Sequence, residues 1–524
     1  MTLKKSLSYT LLFWVLFLLA TPKAAFAHAV LEKAVPAQDI HLQSSPKEIT
    51  LTFNERLENE FFTLKVFDEN GEEIGRTKAK LSVDQKQLDL KLPKLADGNY
   101  TVSYQVVSAD GHPVKGSYIF SVGEGFAGKS KTVPIQQGDE LSPLTSVGRI
   151  FYYLALLLAA GWIWWGAMAR KQLVLLHELK QSHESIAHLL LMVFIIANFG
   201  FGAMLAGGYL DQWSLSNLIA MIIDTTAGLS WMITTILLLL GFVILFRNPW
   251  VDCVWVVLIL GAKSVNGHAF AFEPRLLTVS LDLLHLLAAA IWAGGLLYIL
   301  LYIKKFQEHV QKFIKLFSAA ALISMVVLIG TGLISTFIYL PKIQYLLETR
   351  WGALLIVKTN LVLVVIAVAA ALRFYLKKQD EGNIRRLVKL DFILMLSIVC
   401  IVGALTYLSP IPENKPLHWH EKVEGMDFTT SISPKVPGTN SFMVEANSHE
   451  EGLGIKRIEL NLINKDNSDV APIHVPLEVY DQGKYAHFMT DGSYLPFAGN
   501  WTAEVRILDS EDNETVYRKD FVVY

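Results

Sequence analysis

Residues 278–302 read TVSLDLLHLLAAAIWAGGLLYILLY, a run of 25 residues whose acidic and basic side chains are Asp282 and His285 alone. A helix needs about 20 mostly apolar residues to cross a bilayer, so this run is long enough to span one. The whole chain of 524 residues is 52% apolar and 18% charged, whereas soluble domains carry about 25% charged residues. Further apolar runs lie near residues 148–168, 186–208, 226–246, 251–271, 316–340, 353–376 and 388–408. The sequence therefore predicts an eight-helix transmembrane bundle in a lipid bilayer.

Lys and Arg are unequally distributed over the connections between these runs. The first, third, fifth and seventh connections hold 12 of them, and the second, fourth and sixth hold 3. Cytoplasmic loops are enriched in Lys and Arg. The odd connections are therefore predicted to be cytoplasmic, which places the polar sequence on both sides of the membrane block at the exterior face of the cell membrane.

The N-terminus has the order of a secretory signal. Lys4 and Lys5 precede an apolar run at 9–20, and the small residues of Ala25–Ala27 then mark a cleavage site. The alternative is an uncleaved anchor, but the run is shorter than the ~20 residues of a spanning helix. Cleavage after residue 27 would leave His28 with a free α-amino group.

Two polar blocks show the alternation of half-buried strands. The first has such segments at 49–53, 62–67, 88–92 and 100–107, and the last has them at 458–462, 475–480 and 501–508. We therefore predict a multidomain membrane protein with a β-sandwich before the helix bundle and another after it. The predicted bounds are 1–27 for the signal peptide, 28–125 for the first sandwich, 126–146 for a linker, 147–408 for the membrane domain, 409–430 for a second linker and 431–524 for the last β-domain.

Charge and cysteine content exclude several functions. Lys and Arg number 46 and Asp and Glu 48, a net charge of -2, so no basic field is available for a nucleic-acid partner. Cys253 and Cys400 both lie in apolar runs, so the polar blocks hold no disulfide and no thiolate metal site. We find no Walker A loop, nucleophile elbow or HExxH motif, and we expect no enzyme.

A metal site is predicted in the first polar block. Asp110 and His112 are two residues apart after a strand, so they point the same way if the chain is extended there. A histidine at the mature N-terminus, His28, offers an amine and an imidazole to one ion, and Cu(II) favours such tetragonal N and O donors. The alternative for Asp110 and Gly111 is a plain turn with a solvated His112.

Ionisable residues in the membrane block are candidates for an ion pathway, because they are costly there. His268 is near the outer end of the fourth run, and His285 lies in the outer half of the fifth. Asp282 is three residues from His285 and shares its helix face, which suits a pair of metal ligands or an Asp that orients the imidazole. The alternative is a histidine hydrogen-bonded between helices.

The polar blocks and the membrane block resemble three known families. The segments 27–29 and 108–118 resemble CopC, an exported copper-binding β-sandwich. The membrane block is similar to CopD, and the last block is similar, on weaker motifs, to the YtkA-like domain. The segments that carry these likenesses are 266–269, 282–296 and 351–358 for CopD and 496–501 for the YtkA-like domain.

Together these resemblances cover nearly all of the mature chain in the order of fused CopC-CopD copper transport proteins. They imply that His28, Asp110 and His112 bind Cu(II), and that the bundle passes copper inward through His268 and His285. An exterior copper-binding donor protein is a possible partner. The methionine-rich Cu(I) site of some CopC proteins is not expected, because no methionine lies between residues 28 and 167.

Further histidines are weaker candidates for copper contacts. Near the inner face, His188 lies within the second run, whereas His177 and His183 are expected to be solvated. On the exterior side the candidates are His418 and His420, in what is predicted to be a flexible linker, and His474, His487 and Met489. Surface histidines with no metal role are the alternative.

Two other classes of function compete with transport. A membrane b-type cytochrome needs histidines at similar depth on facing helices, and His268 with His285 meets that requirement by sequence. A copper-resistance or copper-sensing protein would bind copper without moving it. The sequence leaves open the oligomeric state, the driving force and the oxidation state in the membrane.

Overall fold

The computed structural model describes the chain from residue 31 to residue 524. Its gaps are residues 37–40, 54, 60, 69–71, 76–77, 110–112, 124–142, 171–176, 211–212, 273, 341, 407, 409, 411, 413, 424–425, 434, 449–454, 468–469, 483–485 and 511–512. The predicted signal peptide lies outside the described residues.

The N-terminal domain is the predicted β-sandwich of two four-stranded sheets. One sheet has the order β1-β3-β6-β5 and the other β2-β8-β7-β4. Its core contains Ile49, Leu51 and Phe53, which alternate with more exposed residues along β3. The strand predicted at 49–53 from the period-2 pattern is therefore confirmed. The strands are β1 Leu31–Val35, β2 His41–Leu42, β3 Glu48–Phe53, β4 Thr63–Phe67, β5 Lys80–Leu81, β6 Gln87–Lys91, β7 Gly98–Val107 and β8 Pro113–Val122.

The middle of the chain is helical, as predicted. Within the part of the chain that the structure describes, eight long helices correspond to the eight apolar runs, and three short helices lie between them. The helices are α1 Pro143–Met168, α2 His177–Tyr209, α3 Leu215–Asp224, α4 Thr226–Ile244, α5 Pro249–Ser264, α6 His268–Ala271, α7 Arg275–Tyr302, α8 Gln307–Tyr339, α9 Tyr345–Glu348, α10 Arg350–Lys378 and α11 Glu381–Leu405.

Seven of these helices, among the described residues, are long and apolar enough to cross a membrane. The exception is the fourth run, predicted as one span over 251–271. It forms α5 of 16 residues and, after a break, the single turn α6. Gly267 in this break has a φ of +107°, which a helix does not allow and glycine tolerates. The prediction of one spanning helix over 251–271 is therefore wrong, because the run divides into a helix of 16 residues and a separate turn.

The C-terminal domain is a second sandwich, of one five-stranded and one four-stranded sheet. The orders are β14-β15-β11-β10-β9 and β13-β12-β16-β17. Its strands are β9 Leu417–Val423, β10 Met426–Ser433, β11 Gly438–Ser448, β12 Ile455–Asn464, β13 Ile473–Val475, β14 Glu478–Gln482, β15 Ala486–Leu495, β16 Gly499–Asp509 and β17 Glu514–Val523.

Two sequence predictions for this domain are wrong in detail. The segment 475–480 is not one strand, because it divides into β13 and β14, which belong to different sheets. Pro476 lies at the division, and proline has no N–H for a sheet ladder. The segment 409–430 is not all linker, because it contains β9 and the start of β10.

Both sandwiches contact the same end of the helix bundle. At the N-terminal domain, the ring of Phe61 packs edge-on against Tyr209 at the end of α2, with centroids 5.7 Å apart. At the C-terminal domain, the ring of Tyr524 packs edge-on against Tyr345 of α9 at 5.8 Å. We call this the sandwich-side end of the bundle. The predicted topology, with both polar blocks on one side, agrees with these contacts.

The bundle is organised around the contact between α1 and α7. Gly161 of α1 meets the backbone of α7, where an added Cβ would collide with the carbonyl of Ala290 and lie 2.9 Å from the Cα of Gly294. The indole of Trp165 on α1 packs beside this crossing and donates its N–H to the carbonyl of Ile291 on α7 at 2.8 Å. Small residues permit such backbone proximity between membrane helices.

We predict that Gly161→Ala lowers the stability of the bundle, because the new methyl group has no space against α7. Overpacking of this kind costs about 1–3 kcal/mol. Thermal unfolding of the purified protein in detergent measures the change. Gly200→Ala on α2 is the control, since nothing lies within 4 Å of a Cβ there. Equal melting temperatures for the two variants would contradict the tight crossing.

Candidate functional site

The predicted Cu(II) ligands His28, Asp110 and His112 lie outside the described residues. Their described neighbours show where the chain is held. In the register of β7 and β8, Val107 is opposite Pro113, so residues 108–112 connect two paired strands. The N–H of Ala109 donates to the carbonyl of Arg56 at 2.8 Å. Arg56 therefore fixes the start of this connection.

Arg56 also reaches the membrane domain. Its guanidinium Nη2 donates to the carbonyl oxygens of Phe270 and Ala271, at 3.0 and 3.2 Å. These carbonyls belong to α6, whose first residue is the candidate His268. The side chain of His268 is not described, but its backbone lies in the turn that Arg56 holds.

A second link is made by Glu58, which is 6% exposed. Its Oε1 accepts from the backbone N–H of Thr226 at 3.0 Å, and its Oε2 accepts from the Thr226 hydroxyl at 3.3 Å. Thr226 is the first residue of α4, where N–H groups lack helical partners and a negative charge is favourable. Arg56 and Glu58 together form a docking pair between the first sandwich and the bundle.

A cavity of about 700 Å³ lies in the bundle on the sandwich side. Its wall includes His285 and Asp282 of α7, and Pro410 after α11 extends it to the sandwich-side end. His285 is the one histidine among the described residues of this wall. The basic side chains Arg149, Lys263 and Lys358 also line it, so basic groups outnumber acidic groups in the wall.

The hydrogen bonds of His285 determine which ring nitrogen can bind a metal. Its Nδ1 lies 2.8 Å from the hydroxyl oxygen of Thr331 on α8. That hydroxyl donates its proton to the carbonyl of Val327 at 2.7 Å, so it accepts from Nδ1–H. The Nε2 of a neutral imidazole then carries a lone pair, which is the state of a metal-binding histidine with an oriented ring.

Thr331 therefore orients His285, a role that the sequence offered to Asp282. Asp282 and Lys358 both line the same cavity. Lys263 is held by the carbonyl of Asn266 at 2.8 Å. Among the described residues, no group of three or more His, Cys, Asp and Glu side chains could hold a metal. His285 thus stands as a single described imidazole in the cavity.

Of the histidines nearer the opposite end of the bundle, His177 is exposed as expected, and His183 differs from expectation. His183 is not solvated but 1% exposed, and its ring stacks on Trp162 with centroids 4.7 Å apart. Gly166 provides the space, because a Cβ there would strike the imidazole. His188 has Nδ1 2.7 Å from the carbonyl of Glu184, one turn earlier in its own helix. Ordinary packing and hydrogen bonding account for His188.

The candidate residues of the C-terminal domain lie on strands. His420 has Nδ1 3.0 Å from the hydroxyl of Thr429, and His418 is on the same strand, β9. His474 is on the other sheet, with Nδ1 3.1 Å from Asn461. His487 and Met489 are both on β15.

A buried carboxylate near the cavity was missed by the sequence analysis. Asp391 of α11 is 3% exposed, and its Oδ1 has no hydrogen-bond partner within the described part of the chain. The side chain of Trp292 is its hydrogen-bonding neighbour, and Trp292 lines the cavity. A lone Asp in the apolar run 388–408 was the available signal.

Comparison with known proteins identifies two families in this chain. The CopC domain model matches residues 31–123, and the model of copper resistance protein D, CopD, matches residues 311–405. The first match includes Asp110 and His112 but not His28, and the second does not reach His268 or His285.

Similar proteins cover both the whole chain and its parts. The chain is 29% identical over 475 residues to the copper transport protein CutJ of Bacillus subtilis, which covers 85% of this chain and 86% of CutJ. It is 42% identical to protein YobA of Escherichia coli K12 over 20% of this chain and 85% of YobA. It is 22% identical to the inner membrane protein YebZ of E. coli K12 over 50% of this chain and 97% of YebZ. The chain is a CopC-CopD fusion and a multi-pass membrane protein.

We predict that Thr331→Val disturbs the tautomer of His285, because valine has the shape of threonine but cannot accept a hydrogen bond from Nδ1–H. In the wild type, the proton is expected on Nδ1, and in the variant both tautomers become populated. Nitrogen-15 NMR of labelled histidine in the purified protein measures the two states. Thr336→Val is the control, since the Thr336 hydroxyl donates to its own helix at Gly332. An unchanged His285 spectrum in Thr331→Val would contradict the assignment.

We predict that Glu58→Gln loosens the docking of the first sandwich. The loss of a charged acceptor at a helix start weakens the link by about 1 kcal/mol, and amide exchange in the first turn of α4 accelerates. Hydrogen–deuterium exchange of the full chain provides the measurement. Lys65→Ala, which removes an exposed ion pair with Glu73, is the control and leaves α4 unchanged. Exchange at α4 that is the same in both variants would show that Glu58 does not hold the domain.

Proposed function

We propose that this chain is a copper transport protein of the cell membrane. Its N-terminal sandwich captures Cu(II) at the exterior face through His28, Asp110 and His112, and the helix bundle passes copper inward. The similarity to CutJ and the presence of CopC and CopD regions support copper as the substrate. The predicted topology and the exterior position of the capture site support uptake as the direction.

One observation carries the pathway: the imidazole of His285 faces a cavity on the side where the sandwiches dock. Thr331 holds its Nδ1, so Nε2 is available to an ion that enters from that side. A copper ion in a bilayer has to exchange water for protein ligands, and an imidazole is suited to copper in either oxidation state. Asp282 and His268 complete the proposed pathway.

The docking pair supports transfer from the capture site to the cavity. Arg56 bonds to Ala109, directly before the proposed ligand Asp110, and also to α6, which begins at His268. Arg56 thus bonds to the residue before one proposed ligand, Asp110, and to the helix that begins with another, His268. We propose that copper moves along this route without release to the solvent.

The second candidate function is copper resistance or sensing without transport. The charge of the cavity wall favours it, because Arg149, Lys263 and Lys358 outnumber Asp282 and do not attract a free cation. If the protein transports copper, the ion is held in the cavity by ligand bonds to neutral imidazole and not by the net charge of the wall. A membrane cytochrome gains no support from the described residues, since one histidine alone lines the cavity there.

We predict that His112→Ala and His285→Ala affect uptake differently. His112→Ala removes capture and raises the copper concentration needed for half-maximal uptake, because copper still reaches the bundle by diffusion. His285→Ala leaves capture intact and lowers the maximal rate by about ten-fold or more, since the ion loses a ligand that replaces its water. Initial copper uptake by cells, measured against external copper at matched membrane abundance, separates the two effects.

The control for this experiment is His474→Ala, a histidine of the other exterior domain that lies outside the proposed route. It is expected to match the wild type in both parameters. Uptake at the wild-type maximal rate by His285→Ala would refute the pathway. The same copper content in cells with and without the protein would favour the resistance or sensing function.

A further inference from the structure

The five-stranded sheet of the C-terminal domain has one core face and one outer face. Phe442 and Val444 of β11 and Phe488 of β15 point into the core, where they are at most 5% exposed. Because side chains alternate along a strand, the residues between them lie on the outer face. This face carries residues whose chemistry the proposed function does not use.

The strand register places four of these residues together. Met443 of β11 is directly opposite Met489 of β15, and Glu445 is directly opposite His487. Directly opposed side chains have Cβ atoms about 4.5–5.5 Å apart, and diagonal neighbours are about 7–8 Å apart. The four residues therefore form a compact block that we call the methionine–histidine block.

The distances and exposures within the block suit a site for an ion from solution. The Nε2 of His487 lies 3.9 Å from a carboxylate oxygen of Glu445, and these side chains are 31% and 35% exposed. Met443 and Met489 are likewise neither fully buried nor fully exposed. Methionine more often fills gaps in a core, but these two lie on the face opposite to the core.

The ligand set points to a soft cation. Two thioethers and an imidazole favour Cu(I), because thioether sulfur selects soft metal ions and imidazole binds copper well. The first sandwich cannot supply such a site, since residues 28–167 contain no methionine. The two soluble domains thus differ in the kind of copper ligand that they carry.

Two further histidines share this face but are too distant for the same ion. His420 is opposite Thr429 of β10, which is opposite Glu445 of β11. His418 is related in the same way to Met443 through Ser431. Neighbouring strands are about 4.7–4.9 Å apart, so β9 is about 10 Å from β11. His418 and His420 are therefore not ligands of an ion in the block.

We propose that Met443, Met489 and His487 form a Cu(I) site on the C-terminal domain. Glu445 lies beside His487, 3.9 Å from its Nε2. This assignment goes beyond the proposed uptake route, because it gives the third domain a copper site of its own. It holds equally for a transporting and a non-transporting protein.

Protection of methionine from oxidation tests the site in the full-length protein. Ag(I) is the probe, as a soft cation that does not change oxidation state, and Cys253 and Cys400 are alkylated first. Peroxide converts a free thioether to the sulfoxide, whereas a metal-bound sulfur reacts more slowly. We expect Ag(I) to slow the oxidation of Met443 and Met489 by about ten-fold or more, as measured by peptide mass spectrometry.

The controls separate a specific site from general effects of the metal. Zn(II) at the same concentration, which does not favour thioether ligands, is expected to give no protection. Met192 of α2, which is exposed on the bundle surface, is expected to oxidise at the same rate with and without Ag(I). Equal oxidation of Met443 and Met489 with and without Ag(I) would overturn the proposal.

Variants then test the imidazole. His487→Asn is expected to abolish protection of both methionines, because the block loses its nitrogen ligand. His474→Asn, on the other sheet, is the matched control and keeps the protection. Full protection in His487→Asn would overturn the assignment of His487 as a ligand. The result with wild-type protein remains decisive even if a variant does not fold.

Discussion

Backbone contact between α1 and α7 is the constraint on which the membrane domain depends. Gly161 and Gly294 bring the two helices closer than any side chain would allow. The cavity lies toward the sandwich side of this crossing, and Trp292 of α7 is part of its wall. The proposed route for copper therefore meets this tight crossing between the cavity and the opposite end of the bundle.

The chemistry of the cavity follows from its hydrogen bonds more than from its charge. Thr331 orients His285, and the carbonyl of Asn266 holds Lys263, so these two side chains already have partners in the folded protein. Asp391 is the exception, with one buried carboxylate oxygen that has no partner among the described residues. A buried carboxylate oxygen that accepts no hydrogen bond is costly.

Local sequence patterns were sufficient for the architecture. Alternation predicted six of the strands, β3, β4, β6, β7, β12 and β16, and apolar length predicted the long helices, because each pattern reports on one element at a time. The errors fall where a single residue interrupts a pattern. Gly267 lies in the break that follows α5, the helix of the fourth apolar run. Pro476 divides a predicted strand between two sheets. The ten-residue helix α3, which was not predicted, is too short for a spanning pattern.

The candidate sites depend on contacts between residues that are far apart in the sequence, and local patterns do not predict such contacts. His285 was a candidate from its place in an apolar run, but Thr331, its partner, is 46 residues away on another helix. The expectation for His183 was wrong because helix α2 turns its ring toward Trp162, and nothing local reveals that. Met443 was not a candidate, since its position opposite Met489 arises only from the pairing of β11 with β15.

Docking of the first sandwich through Arg56 and Glu58 has a kinetic consequence for the copper transfer proposed above. A tethered donor and acceptor meet at an effective concentration in the millimolar range for a short connection, far above that of a scarce free metal. Exchange between the two domains then becomes unimolecular, so its rate does not depend on how much of the protein the membrane contains. A chelator in the medium competes with the first capture of an ion, but has little opportunity to intercept one already held.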